Sequence, residues 1–187
     1  MVPSTTAMTD DRGECAESVD MGVRTLVVGL GNPILGDDGV GWRVAEELAR
    51  DFEASPVAHG LDRMTVDVEP FSLGGLSLME RMIGYDRAIV IDAITTGRPV
   101  GAVVVMAIED VDTRVDQTFV HATAAHDTSL RNALRLGRDL GAKLPARVHV
   151  VGIEASALYD FSEELTPEVA RAVPIAKERV GALLRDG

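Results

Sequence analysis

"RAIVIDAITTGRPVGAVVVMAI", residues 87–108, decides the fold. Its first part, "RAIVID", is an apolar, β-branched run closing on Asp92, and "AVVVMAI" (102–108) is a second such run. Both read as strands. Between them lies only "AITTGRPVG". Parallel strands need a crossover of roughly a dozen residues or more, enough to return the chain to the same end of the sheet. This link is too short for a crossover helix. The fourth strand is therefore expected to run antiparallel to the third.

Outward from this pair, strands alternate with helices. "TLVVGL" (25–30) is a buried strand, and Val40, Val44, Leu48 and Phe52 form a helical stripe. "MTVDVE" (64–69) alternates as a strand, and "GLSLMERMIG" (75–84) is a short helix. "DTSLRNALRLGRDLG" (127–141) places Leu130, Ala133, Leu134 and Gly137 on one helical face, and "ARVHVVGI" (146–153) is another strand. A last helix opens at "TPEVA", with Thr166 as the cap and Pro167 in the first position. Pro174 predicts a kink in it. The pattern is an α/β fold of three layers, with helices on both faces of a mixed sheet. Residues 1–22 are poor in large apolar side chains and rich in acids, the composition of a disordered extension. Residues 23–187 make a single domain.

The formal net charge of −12 opposes nucleic acid and anionic membranes as partners. Cys15, in the N-terminal extension, is the sole cysteine, which excludes an internal disulfide and fits a reducing cytoplasm. No apolar run is long enough to span a membrane, and no basic-then-apolar leader opens the chain.

The chemistry points to "VVGLGNPILGDDGVG" (27–41). A dinucleotide fingerprint would need a third glycine where Ile34 stands, and Pro33 removes an amide from the turn. Asp37 and Asp38 would also face the pyrophosphate. One aspartate suffices to cap the first helix. A second, followed by Gly39 and Gly41, suggests a loop that presents a carboxylate with close backbone approach. Asp92 ends its strand at the carboxyl edge of the sheet. If strands one and three are neighbours, Asp38 and Asp92 share the switch-point crevice where open α/β sheets bind ligands. Two converging carboxylates want a cation or a shared proton. His126, in the loop before the 127–141 helix, completes an O, O, N set suited to a divalent transition metal. Asp37 is left to cap the helix or support this loop. No serine sits at a nucleophile elbow, so hydrolysis would use water.

"VVGLGNPILGDDGVG", "IVIDAI" and "HDTSL", in that order, resemble the maturation endopeptidases of nickel–iron hydrogenases. The resemblance runs from about Thr25 to the final helix. It implies a three-layer α/β/α sandwich with a five-stranded mixed sheet of order 2-1-3-5-4, strand four antiparallel. It also implies an endopeptidase of aspartic type that removes a C-terminal peptide from the hydrogenase large-subunit precursor. No permanent cofactor is implied; the nickel is carried by the substrate and contacted by Asp38, Asp92 and His126, which are also the catalytic candidates. "EPFSLGGLS" (69–77) departs from the family's Asp-Gly-Gly-Thr-like loop, keeping Gly74 and Gly75 alone. Two other readings share these features. One is a nickel-sensing chaperone without cleavage. The other is a peptidyl-tRNA hydrolase, which shares "VGLGNP" but needs a basic surface.

Overall fold

The computed structural model describes residues 22–54, 64–108, 126–156, 158 and 161–186, with residue 64 and residues 126–129 described in their backbone only. The expected 1–22 extension lies outside the described residues, Gly22 excepted. Five strands follow the chain: β1 (Val23–Leu30), β2 (Met64–Phe71), β3 (Arg87–Ile94), β4 (Val103–Ile108) and β5 (Arg147–Glu154). Four helices connect or follow them: α1 (Val40–Ala54), α2 (Gly75–Arg81), α3 (His126–Asp139) and α4 (Pro167–Arg185). A short 3₁₀ turn, Gly36–Gly39, precedes α1.

The sheet order is β2-β1-β3-β5-β4. β1 pairs in parallel with β2 and β3, β3 pairs in parallel with β5, and β4 pairs antiparallel to β5. The short link after β3 thus reverses the chain as its length requires, with β5 inserted between the two strands it joins. β1 and β3 are neighbours while β2 lies on the other side of β1, so the switch point falls between β1 and β3.

The alternation of strand side chains builds two cores. Val27, Ile89, Ile91, Val151 and Ile153 pack against Val40, Val44 and Leu48 of α1 and Val169, Val173 and Val180 of α4. Leu26, Val28, Val90 and Val150 pack against Leu78 and Met79 of α2 and Leu130 and Leu134 of α3. Each fully buried aliphatic side chain of this kind stabilises the fold by roughly 1.5–3 kcal/mol. Lys177 of α4 reaches Glu47 at 3.1 Å and Asp51 at 2.7 Å, tying α4 to α1 over the first core.

Several boundaries differ from the sequence reading. β3 continues past Asp92 to Ile94, because Ala93 and Ile94 are buried and extend the apolar run. α2 stops at Arg81, and Gly84 with φ +87 starts the turn into β3. α3 begins at His126 itself. α4 spans Pro167–Arg185 and holds Pro174 within it.

Candidate active site

Gly41 explains how the first motif reaches the sheet edge. A Cβ there would lie 2.3 Å from the carbonyl oxygens of both Leu30 and Ile91. Only a glycine lets the first turn of α1 rest on the ends of β1 and β3. Gly31, at φ +133, faces the same restriction, since a Cβ would lie 1.9 Å from the Asp38 carbonyl oxygen. The strand, the 3₁₀ turn and the helix are thereby folded tightly together, with the turn packed against β3.

The two aspartates of the turn part company. Asp38 is half-buried, and its Oδ2 accepts the Asn32 backbone N–H at 2.7 Å. Asn32 Oδ1 accepts the Ile34 N–H at 3.2 Å, an Asx turn that fixes the acceptor's neighbour. Asp37 is fully buried. Its Oδ1 accepts the Thr166 N–H at 2.8 Å and its Oδ2 accepts the Thr166 hydroxyl at 3.0 Å. Thr166 stands at the N-cap of α4 as expected, yet its hydroxyl makes no cap hydrogen bond to that helix; it donates to Asp37 instead. A carboxylate beside the first turn of α4 is favoured by the helix dipole. The pairing joins residues 129 apart along the chain, and no local pattern announces it.

Asp92 lies on the face of β3 that packs against α2 and α3. It lines a small crevice with Leu30, Gly74, Leu78, Val90, Leu130 and Val150. Leu30 ends β1 and Gly74 precedes α2, so the crevice opens at the carboxyl edge of the sheet. Asp38 and Asp92 are therefore set at the same end of neighbouring strands, one on the turn after β1 and one in the last turn of β3's pleat. His126 is the first residue of α3, four residues ahead of the crevice-lining Leu130; its side chain lies outside the described residues. Among the described residues, no group of three His, Cys, Asp or Glu side chains forms a metal cage. Of the other histidines, His149 sits in β5 at the far end of the sheet, where burial, then Arg87 and Arg147, hold its pKa below the ordinary value. His59 and His121 lie outside the described residues.

A further buried carboxylate escaped the sequence reading. Glu154, at the end of β5, is only 3% exposed. It accepts the Thr96 N–H at 2.7 Å, the Thr96 hydroxyl at 2.7 Å and the Gly97 N–H at 2.8 Å. These bonds fix the loop that follows β3, two residues beyond Ile94. Gly101 in the same loop has φ +83, and a Cβ there would lie 2.6 Å from the Glu168 carbonyl oxygen of α4. The start of α4 thus braces the β3–β4 loop on one side and Asp37 on the other.

A family profile described as hydrogenase maturation protease matches residues 42–182. The chain belongs to the hydrogenase maturation protease family. The hydrogenase expression/formation protein HupD of Rhizobium leguminosarum bv. viciae is 30% identical over 162 residues, covering 87% of this chain and 74% of the relative. The hydrogenase 2 maturation protease of Escherichia coli is 28% identical over 165 residues, covering 88% and 92%. In three dimensions, the hydrogenase maturating endopeptidase HybD from E. coli superposes with a TM-score of 0.66 at 26% identity, covering 88% of this chain and 93% of that one. The HybD protease from Thermococcus kodakarensis gives 0.64 at 26% identity, covering 87% and 99%. The protease is therefore a peptide-bond hydrolase, and the peptidyl-tRNA hydrolase reading of "VGLGNP" is set aside. Among the described residues, no helix of the protease is long and apolar enough to cross a membrane.

Proposed function

We propose that this protease removes a C-terminal peptide from a nickel-loaded hydrogenase large-subunit precursor in the cytoplasm, recognising the substrate's nickel through Asp38, Asp92 and His126. The observation that carries the reading is the placement of Asp38 and Asp92 at the same edge of adjacent strands, beside the switch point, in a chain of this family. Two carboxylates converging at one sheet edge favour a cation between them. An imidazole from the start of α3 supplies the third, nitrogen ligand and leaves open positions for the substrate's own groups.

The nickel arrives with the substrate and sets the register of the C-terminal extension against the crevice. Water then attacks the scissile carbonyl carbon while a carboxylate takes its proton. The carbon–nitrogen bond breaks, and the proton passes to the departing amine. Asp38 keeps one oxygen on the Asn32 amide, which fixes its orientation for either ligation or proton transfer. The loss of the family's Asp and Thr in "EPFSLGGLS" changes the wall beside Gly74, and it matches a large subunit from a divergent hydrogenase group.

The test mixes purified protease with the nickel-loaded precursor and follows the precursor's mass. The expected result is one shortened product from the loaded precursor and none from the metal-free form. An intact precursor that nevertheless forms a stable complex would make the protein a nickel-sensing chaperone and overturn the reading.

A further inference from the structure

We propose that Asp37 is a positioning residue for cleavage: by holding Thr166 it fixes the turn that carries Asp38. The proposal rests on the protease reading given above and goes beyond it, since Asp37 itself touches no substrate.

The 3₁₀ turn spans four residues, and its N-cap residue Leu35 makes no side-chain cap bond. A turn that short has little stability of its own, so its shape is imposed by its neighbours. Four hydrogen bonds impose it from the segment leading into α4. The Gly36 N–H donates to the Ser162 carbonyl at 2.7 Å, and the Ser162 N–H donates to the Ile34 carbonyl at 3.2 Å. The Thr166 N–H and hydroxyl donate to the two oxygens of Asp37 at 2.8 and 3.0 Å. The last two engage both oxygens of a side chain with no solvent exposure, and hydrogen bonds shielded from water hold their partners more firmly.

Asp37 and Asp38 are consecutive, with Cα atoms about 3.8 Å apart, so the anchor of one sets the place of the other. On the opposite side the Asp38 carboxylate accepts the Asn32 N–H, and the Asp38 N–H donates to the Leu35 carbonyl at 3.2 Å. Without the Asp37 clamp the turn keeps its attachment to β1 and loses its stronger attachment to α4. Thr166 supports the same view. Its hydroxyl forgoes a cap bond to α4 and serves Asp37, so the start of the last helix is built to hold the turn.

Asp37→Asn and Asp37→Ala separate shape from charge. The asparagine oxygen still accepts the Thr166 N–H, and its amide can donate to the Thr166 hydroxyl, which reverses its role. Single-turnover and steady-state cleavage of the nickel-loaded precursor are measured per folded molecule, well below each variant's melting temperature. Asp37→Ala is expected to lower kcat roughly 100-fold, the scale of an ångström misplacement of a reacting group. Its KM stays within about threefold, because no substrate contact is lost. Asp37→Asn recovers activity to within about threefold of the wild type, having kept both hydrogen bonds. A purely structural Asp37 would give Asp37→Ala a lower melting temperature and an unchanged kcat, which overturns the proposal. Equal losses in Asp37→Ala and Asp37→Asn would assign a role to the charge and overturn it too. Should Asp37→Ala not fold, Thr166→Val removes the hydroxyl arm alone, and a wild-type kcat in that variant also refutes the proposal. A wild type that cleaves nothing refutes the protease reading instead.

Discussion

Two helical glycines give a demanding test of how α1 meets the sheet. Glycine costs a helix interior about 1 kcal/mol relative to alanine, so propensity alone predicts that Gly41→Ala and Gly181→Ala both stabilise. The structure predicts opposite signs. At Gly181 a Cβ would meet only the end of the Arg185 side chain at 3.3 Å, and that flexible side chain can move aside. At Gly41 it would lie 2.3 Å from two backbone carbonyl oxygens on two strands. Carbon–oxygen contacts ordinarily stop near 3.3 Å, so the helix start must move by about 1 Å. Overpacking of this kind costs about 1–3 kcal/mol; the two rigid oxygens put it at the upper end, and after the helix-propensity gain the net cost is about 2 kcal/mol. For a domain of this size that lowers the melting temperature by about 4–8 °C. Gly181→Ala should raise it by about 2–4 °C. Circular dichroism melts of the two variants beside the wild type decide the matter. If Gly41→Ala melts at or above the wild type, the close packing of α1 on β1 and β3 is wrong, and with it the placement of the 3₁₀ turn. The same displacement carries Asp38 away from Asp92, so the folded Gly41→Ala protein should also cleave more slowly.

Glu154→Ala strands two backbone N–H groups and a hydroxyl in the loop after β3. The expected cost is about 3 kcal/mol and a fall of about 6–12 °C in melting temperature; an unchanged melt would show that water replaces the carboxylate freely. His149 supplies a pH dependence. Its folded pKa lies below the ordinary 6.5, first through burial and then through Arg87 and Arg147. As pH falls below 6.5 the unfolded chain takes up a proton that the folded chain refuses, so stability declines over that window and is full above it. Denaturation of His149→Gln between pH 7.5 and 5.5 should show a flatter decline than the wild type, and parallel curves would remove His149 as a source.

The parts of the fold legible in the sequence were those set by local pattern. β1, β3 and β5 are apolar runs buried on both faces, and β4 had to reverse because "AITTGRPVG" is too short to cross over. Gly39 and Gly41 announced a close approach, though which carbonyls they approach depends on the neighbouring strands. What stayed hidden was long-range pairing. Asp37 and Asp38 look equivalent in "GDDG", and only the tertiary structure sends one to Thr166 and the other to Asn32. Glu154 drew no notice in a strand read as ending at Ile153, because its three donors belong to a loop 57 and 58 residues earlier.

The central claim is that Asp38, Asp92 and His126 meet at one ion. Crystals of the protease soaked in a nickel or cadmium salt test it most directly. The account predicts a single strong anomalous peak at the carboxyl edge of β1 and β3, within ligand distance of both carboxylates and the imidazole, and lost in Asp92→Ala. A peak held by other residues, or an ion on one carboxylate with the imidazole turned elsewhere, would contradict it.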